Sequence, residues 1–131
     1  LSVDIETFAR QITCIGFAPS HDRALVIPFV APGYPGNSYW STLSDEVKAW
    51  SYVRRWLSLH KQVIGQNFLS YCRYLLQLYG TPLFDAAGDT MLLHHAMQPE
   101  MEKSLGFMGS IHTDEPLWKF MRTKGTLKKE D

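Results

Sequence analysis

The stretch LSVDIET (residues 1–7) predicts a first strand that carries two acids. Side chains alternate across a β-strand, so Asp4 and Glu6 share one face while Val3 and Ile5 share the other. Two carboxylates on one face repel each other, and burying them is costly unless a cation, a metal ion or protonation compensates. The stretch therefore predicts either half of a site for a hard metal ion or a solvated pair at a strand end.

Two further strands follow this one, ITCIGFA (12–18) and ALVIPFV (24–30), joined by the turn PSHDR (19–23). Their β-branched residues and the short polar turn predict an antiparallel meander. An N-cap at Thr42 or Ser44 leads into an amphipathic helix over residues 45–60.

The second half of the chain alternates between strand and helix signals. KQVIGQN (61–67) predicts a short buried strand, and FLSYCRYLLQLY (68–79) predicts a second amphipathic helix that ends at Gly80. DTMLLHHAM (89–97) predicts a further apolar strand-to-helix run. This order predicts an α/β fold with a mixed sheet, three antiparallel strands followed by β-α units, and helices packed against the sheet.

Composition indicates a globular chain. Its 131 residues are 45% hydrophobic and 13% aromatic, which predicts a single domain over residues 1–131. The net charge is zero, so nucleic-acid contacts must come from local patches such as the basic stretch at residues 118–131. Cys14 and Cys72 lie in apolar segments, which favours reduced core thiols in a cytosol-like compartment. We expect no membrane partner, because no segment has transmembrane length, and we interpret the chain as a piece of a longer protein.

Three motifs in order resemble the DEDD superfamily of 3′-to-5′ exonucleases: DIET (4–7), VIGQNFL (63–69) and the block from Asp89 to Met121 with its DTMLLHHA, LGF and TDEP segments. The closest resemblance is to the proofreading domain of phage-type family A DNA polymerases, and it covers nearly the whole chain. It implies a ribonuclease H-like fold. It also implies hydrolysis of the 3′-terminal phosphodiester of single-stranded DNA with two Mg²⁺ or Mn²⁺ ions. The implied partner is a polymerase domain of the same or another chain, and the implied location is the cytoplasm of a phage-infected or bacterial cell.

The resemblance also implies roles for individual residues. Asp4 would bridge both metal ions, Glu6 would hold the ion that generates the nucleophile, and Thr7 and Asn67 would seat the terminal nucleotide. The second motif of the family, N-x-x-(F/Y)-D, aligns with NFLSY (67–71), so Tyr71 stands where the aspartate ligand is expected. The third motif, Y-x-x-x-D, has no match in the chain and is expected beyond its end, as in a truncated copy. We therefore expect the chain to be inactive or strongly impaired as a nuclease.

Two other functions compete with this one. The first is a non-catalytic ribonuclease H-like module that packs against a polymerase or a partner and binds nucleic acid weakly. The second is an RNA-trimming ribonuclease of the same superfamily, which the C-terminal block makes less favourable because it resembles the polymerase branch.

Several polar residues have both a functional and a structural interpretation. Asp89 could replace the lost aspartate ligand, but its place at the start of an apolar run favours a structural role. His94 and His95 suggest zinc, yet adjacent histidines point in different directions and no cysteine cluster completes a site. His112 is best explained as a hydrogen-bonded histidine.

Overall fold

The computed structural model describes residues 1–59, 62–81 and 86–116. The chain divides into two compact units, Leu1–Leu93 and His94–Asp131. The basic stretch at residues 118–131 lies outside the described residues. Within the described ranges, every helix is too short or too polar to cross a membrane.

Five strands and four α-helices form the described structure. The strands are β1 (Ser2–Phe8), β2 (Gln11–Ser20), β3 (Arg23–Pro28), β4 (Val63–Gly65) and β5 (Ala86–Asp89). The helices are α1 (Leu43–Leu59), α2 (Arg73–Leu78), α3 (Thr90–Met97) and α4 (Leu105–His112). A short 3₁₀ turn spans Pro35–Asn37, and a π-helical turn spans Phe68–Cys72 immediately before α2.

The sheet is mixed, with strand order β3-β2-β1-β4-β5. The pairs β1/β2 and β2/β3 are antiparallel, whereas β1/β4 and β4/β5 are parallel. This arrangement confirms the predicted α/β class and the mixed sheet. The central strand is β1, which joins the antiparallel half of the sheet to the parallel half.

The prediction for DTMLLHHAM is wrong in detail. Asp89 is the last residue of β5 rather than the first residue of a strand, and the apolar residues that follow form α3. The reason is that a short apolar run has no periodicity that separates a buried strand from a buried helix. The strand itself is the small-residue segment AAGD, which lacks the β-branched residues that usually mark strands.

One face of the sheet forms the core of the first unit. The core cluster combines residues of β1 and β2 with the buried sides of α1, the π-helical turn and α2; it includes Val3, Ile5, Ile12, Ile15, Phe17, Trp50, Val53, Leu57, Phe68, Cys72, Leu75 and Leu76. Each large apolar side chain buried here contributes roughly 1.5–3 kcal/mol relative to exposure. Burial therefore fixes which face of β1 turns inward.

The start of α1 is set by a reciprocal cap. The backbone N–H of Asp45 donates to Thr42 Oγ1 at 3.1 Å, and the Thr42 hydroxyl donates to Asp45 Oδ2 at 2.7 Å. This pairing satisfies one of the free N–H groups of the first turn. It identifies Thr42, and not Ser44, as the N-cap.

Candidate functional site

Asp4 and Glu6 lie on the exposed face of the central strand. Both side chains are exposed, while Val3 and Ile5 between and beside them are 1% and 7% exposed. This alternation is the one expected for a half-buried strand, and it places the two carboxylates on the same side of β1. The pair faces away from the helix-covered core.

A bulge follows Glu6 directly. Glu6 pairs with Cys14, but Thr7 pairs with Ile12, so the register shifts by one residue between them. The extra residue, Thr13, donates its hydroxyl to the carbonyl oxygen of Glu6 at 3.0 Å. A bulge turns the following side chains and increases the local twist, so it sets the direction of the half-buried Thr7 relative to Glu6.

The tip of the β1–β2 hairpin is conformationally unusual. Ala9 and Arg10 have φ angles of 48° and 63°, in the left-handed region that non-glycine residues rarely adopt. Phe8, just before them, is 76% exposed. A cation and an exposed aromatic ring therefore stand at the end of the strand that carries both carboxylates.

Asn67 lies at the entrance of the π-helical turn. Its φ of 51° is left-handed, and its side chain is exposed. The backbone N–H groups of Asn67 and Phe68 donate to Oδ1 and Oδ2 of Asp89 at 2.9 and 2.6 Å. The π-helical turn also contacts β1, so the Asn67 loop is held beside the strand that carries Asp4.

Both carboxylate oxygens of Asp89 are occupied by hydrogen bonds from backbone N–H groups. Besides Asn67 and Phe68, it accepts N–H groups of Leu69, Met91 and Leu92 at 3.3, 2.9 and 3.4 Å, and its side chain is 3% exposed. Its oxygens cap the first turn of α3 and the start of the π-helical turn together. This supports the structural interpretation over the metal-ligand one. The sequence signal for it is an aspartate directly before a helical run, a favoured N-cap residue.

The pKa of the Cys72 thiol is affected by the charges near β1. Burial, with the negative charges of Asp4 and Asp89 adding to it, raises the pKa of Cys72 to about 11, although a hydrogen bond with the Ile5 backbone opposes this. The thiol therefore lies within electrostatic reach of both carboxylates. It stays protonated at neutral pH, and a protonated thiol is a poor nucleophile.

The described residues do not fit a two-metal centre. Among them there is no group of three or more His, Cys, Asp or Glu side chains that could hold a metal ion. Asp4 and Glu6 supply carboxylate oxygens, Asp89 is occupied by backbone N–H groups, and Cys72 is a neutral thiol. The backbone of Tyr71 belongs to the π-helical turn. The position of its side chain lies outside the described part of the structure.

The histidines of the second unit form a pair. His94 Nδ1 lies 3.2 Å from His112 Nε2, and the two rings meet edge to face. The His94 ring also meets the Phe107 ring edge to face. His94 is 2% exposed, and its Nε2 has no hydrogen-bond partner among the described residues. His95 is exposed. The hydrogen bond of His112 is the role that we expected for it.

Comparison of the chain with protein-family models, with curated proteins and with solved structures finds no match. The structure brings Asp4 and Glu6 onto one face and holds the Asn67 loop against the same strand. Thr7 lies beyond the bulge. The functional roles of these residues stay predictions from the motifs and from this geometry.

Proposed function

We propose that the chain is a ribonuclease H-like domain of the 3′-to-5′ exonuclease type, which receives the 3′ end of single-stranded DNA and has lost most or all of its hydrolytic activity. The single observation that carries this proposal is the exposed pair Asp4 and Glu6 on the central strand. Like charges at positions i and i+2 on one strand face repel each other, and the divalent cations of a nuclease site would remove that repulsion.

The topology of the sheet supports the proposal. An antiparallel meander of β1, β2 and β3 is followed by two strands, β4 and β5, that extend the sheet in parallel on the other side of β1. The motif resemblance implies this order of three antiparallel strands and then β-α units. The Asn67 loop, which carries the second motif, is tied to β5 by Asp89 and contacts β1 through the π-helical turn. The first two motifs thus lie on neighbouring strands.

The hairpin tip supports contact with a single strand. Phe8 offers an exposed ring on which a base can stack, and Arg10 offers a charge for a phosphate. Such combinations are typical of proteins that bind single-stranded nucleic acid. Asp4 and Glu6 repel phosphate unless cations neutralise them, so we expect weak binding that divalent cations strengthen.

The loss of activity follows from the incomplete ligand set. Tyr71 replaces the aspartate of the second motif, and a phenol with an ordinary pKa near 10 is a poor ligand for Mg²⁺. A non-catalytic module is therefore the second candidate, and the observation that favours it is the lack of a three-ligand metal group in the described residues.

Binding and hydrolysis of a 5′-fluorescein-labelled oligothymidylate, whose 3′ end is free, test the proposal. We expect weak binding that rises with Mg²⁺ and falls roughly five- to 100-fold in Phe8→Ala, the effect of losing one base–aromatic stack. The matched control is Tyr52→Ala, because Tyr52 is 60% exposed but lies on α1, which covers the opposite face of the sheet.

The same assay separates the two candidates. Slow Mg²⁺-dependent release of the 3′ nucleotide that disappears in Asp4→Ala supports an impaired nuclease. Binding without release supports the non-catalytic module. Binding that neither Phe8→Ala nor Mg²⁺ alters, or release that survives Asp4→Ala, contradicts the assignment of this face.

A further inference from the structure

An apolar groove lies between β3 and α1, on the side of the sheet opposite Asp4 and Glu6. It encloses about 400 Å³ and is lined by Leu25, Ile27, Tyr52, Arg55, Trp56 and Leu59. Leu25, Tyr52 and Leu59 are 48%, 60% and 66% exposed. A contiguous exposed apolar surface of this kind is typical of an interaction site.

The Trp56 wall of the groove is held in place by the core. The Trp56 ring meets the fully buried Phe17 edge to face, with ring centroids 5.0 Å apart, so one wall is anchored in the core. Leu25 and Ile27 pair with Phe17 and Ile15 on β2, which turns their side chains towards α1. A surface that is already ordered loses little conformational entropy when a partner binds.

The strand β3 is better suited to contact a partner through its side chains than to pair with an additional β-strand. β3 is the edge of the described sheet. Phe29 donates its N–H to Thr13, so the alternation along β3 directs the N–H groups of Leu25 and Ile27 towards β2. The N–H groups of Ala24 and Val26 point outward, and Pro28 has no N–H group. An incoming strand would therefore find few donors, and proline is typical of edges protected from such pairing.

The charge of the groove indicates which kind of partner fits it. Among the described residues that line the groove, Arg55 is the only charged one, and none of them is a carboxylate. A second copy that presented the same surface would bring two Arg55 side chains together, which is unfavourable. A nucleic acid would place phosphates against apolar walls. An occupant with an apolar side chain and a nearby carboxylate fits both the walls and the charge.

We propose that this groove is a docking site for a protein segment that inserts an apolar side chain between Leu25 and Trp56 and pairs a carboxylate with Arg55. A protein segment fits better than a small molecule because the groove is open, and only a larger partner can cover its exposed rim. This inference is independent of any nuclease activity, which belongs to the other face of the sheet.

Selection of phage-displayed random peptides on the immobilised protein tests the proposal. We expect the enriched peptides to combine an aromatic or aliphatic residue with a nearby Asp or Glu. Synthetic copies should bind at least about tenfold more weakly to Arg55→Glu, since a charge reversal at a contact turns attraction into repulsion. The matched control is Arg54→Glu, because the Arg54 guanidinium lies towards Gly80, 3.7 Å from where a Cβ would stand there.

Each outcome decides the question. Acid-containing peptides that lose affinity in Arg55→Glu but bind Arg54→Glu normally support the site. The proposal would be overturned if no peptide is enriched, if the enriched peptides lack acidic residues, or if both variants lose affinity equally. It would also be overturned if light scattering shows that the unliganded protein is a dimer and that Arg55→Glu does not alter this dimer. Thermal unfolding of both variants verifies that the fold is intact.

Discussion

Asp89 Oδ2 accepts the backbone N–H of Phe68 at 2.6 Å, and this contact ties the end of β5 to the π-helical turn that follows Asn67. The same carboxylate accepts four further N–H groups, from Asn67, Leu69, Met91 and Leu92. A single buried side chain thus ties the start of the π-helical turn to the first turn of α3. These hydrogen bonds also hold the loop at Asn67 in place.

Asp89→Asn replaces one acceptor oxygen by an NH₂ group that faces backbone donors. Because at least two buried N–H groups then lose their partner, we expect the free energy of unfolding to fall by about 2–4 kcal/mol. Urea denaturation measures this. The control is Asp22→Asn: the Asp22 carboxylate is exposed and accepts the Ser20 hydroxyl, so this change should alter stability by less than about 0.5 kcal/mol. Equal stability of wild type and Asp89→Asn would show that the contacts are unimportant.

Gly65 is required by the close approach of Phe68. A Cβ on Gly65 would lie 2.7 Å from Phe68 Cβ, Cγ and Cδ2, whereas a Cβ on Gly16 would be 3.9 Å from its nearest neighbour. We therefore expect Gly65→Ala to lower stability by about 1–3 kcal/mol, the usual effect of overpacking. Gly16→Ala should be tolerated. Paired thermal melts measure the contrast, and similar melting temperatures for the two variants would contradict it.

The raised pKa of Cys72 makes stability depend on pH in alkali. The folded protein keeps this proton up to about pH 11, while the unfolded chain releases it near pH 9.0. The folded state therefore binds more protons between these values, and the contribution of Cys72, complete below pH 9.0, is lost as the pH rises towards 11. We expect the stability difference between wild type and Cys72→Ala to decrease over this interval in denaturant titrations. A difference that stays constant would contradict the burial of the thiol.

The sequence predicts best what alternation and turn chemistry determine locally. The shared face of Asp4 and Glu6 follows from strand periodicity alone. The sequence narrows the N-cap of α1 to Thr42 or Ser44, and the hydrogen bond from Asp45 N–H identifies Thr42. The π-helical turn and the role of Asp89 depend on hydrogen bonds between residues about 20 positions apart, which no local pattern encodes. The pairing of His94 with His112 is likewise tertiary. The bulge after Glu6 was not predicted either, because an extra residue in a strand leaves no mark in its apolar pattern.

The central claim is that Asp4 and Glu6 are the remaining ligands of a metal site that lacks the carboxylate expected at Tyr71. Titration calorimetry of Mn²⁺ on wild type, Tyr71→Asp and Tyr71→Asp with Asp4→Asn tests it most directly. We predict millimolar or weaker binding by wild type and a gain of at least about tenfold in Tyr71→Asp, because each added carboxylate ligand contributes more than about 1.4 kcal/mol. Adding Asp4→Asn should remove that gain. An unchanged affinity in Tyr71→Asp, or a gain that survives Asp4→Asn, would contradict the account.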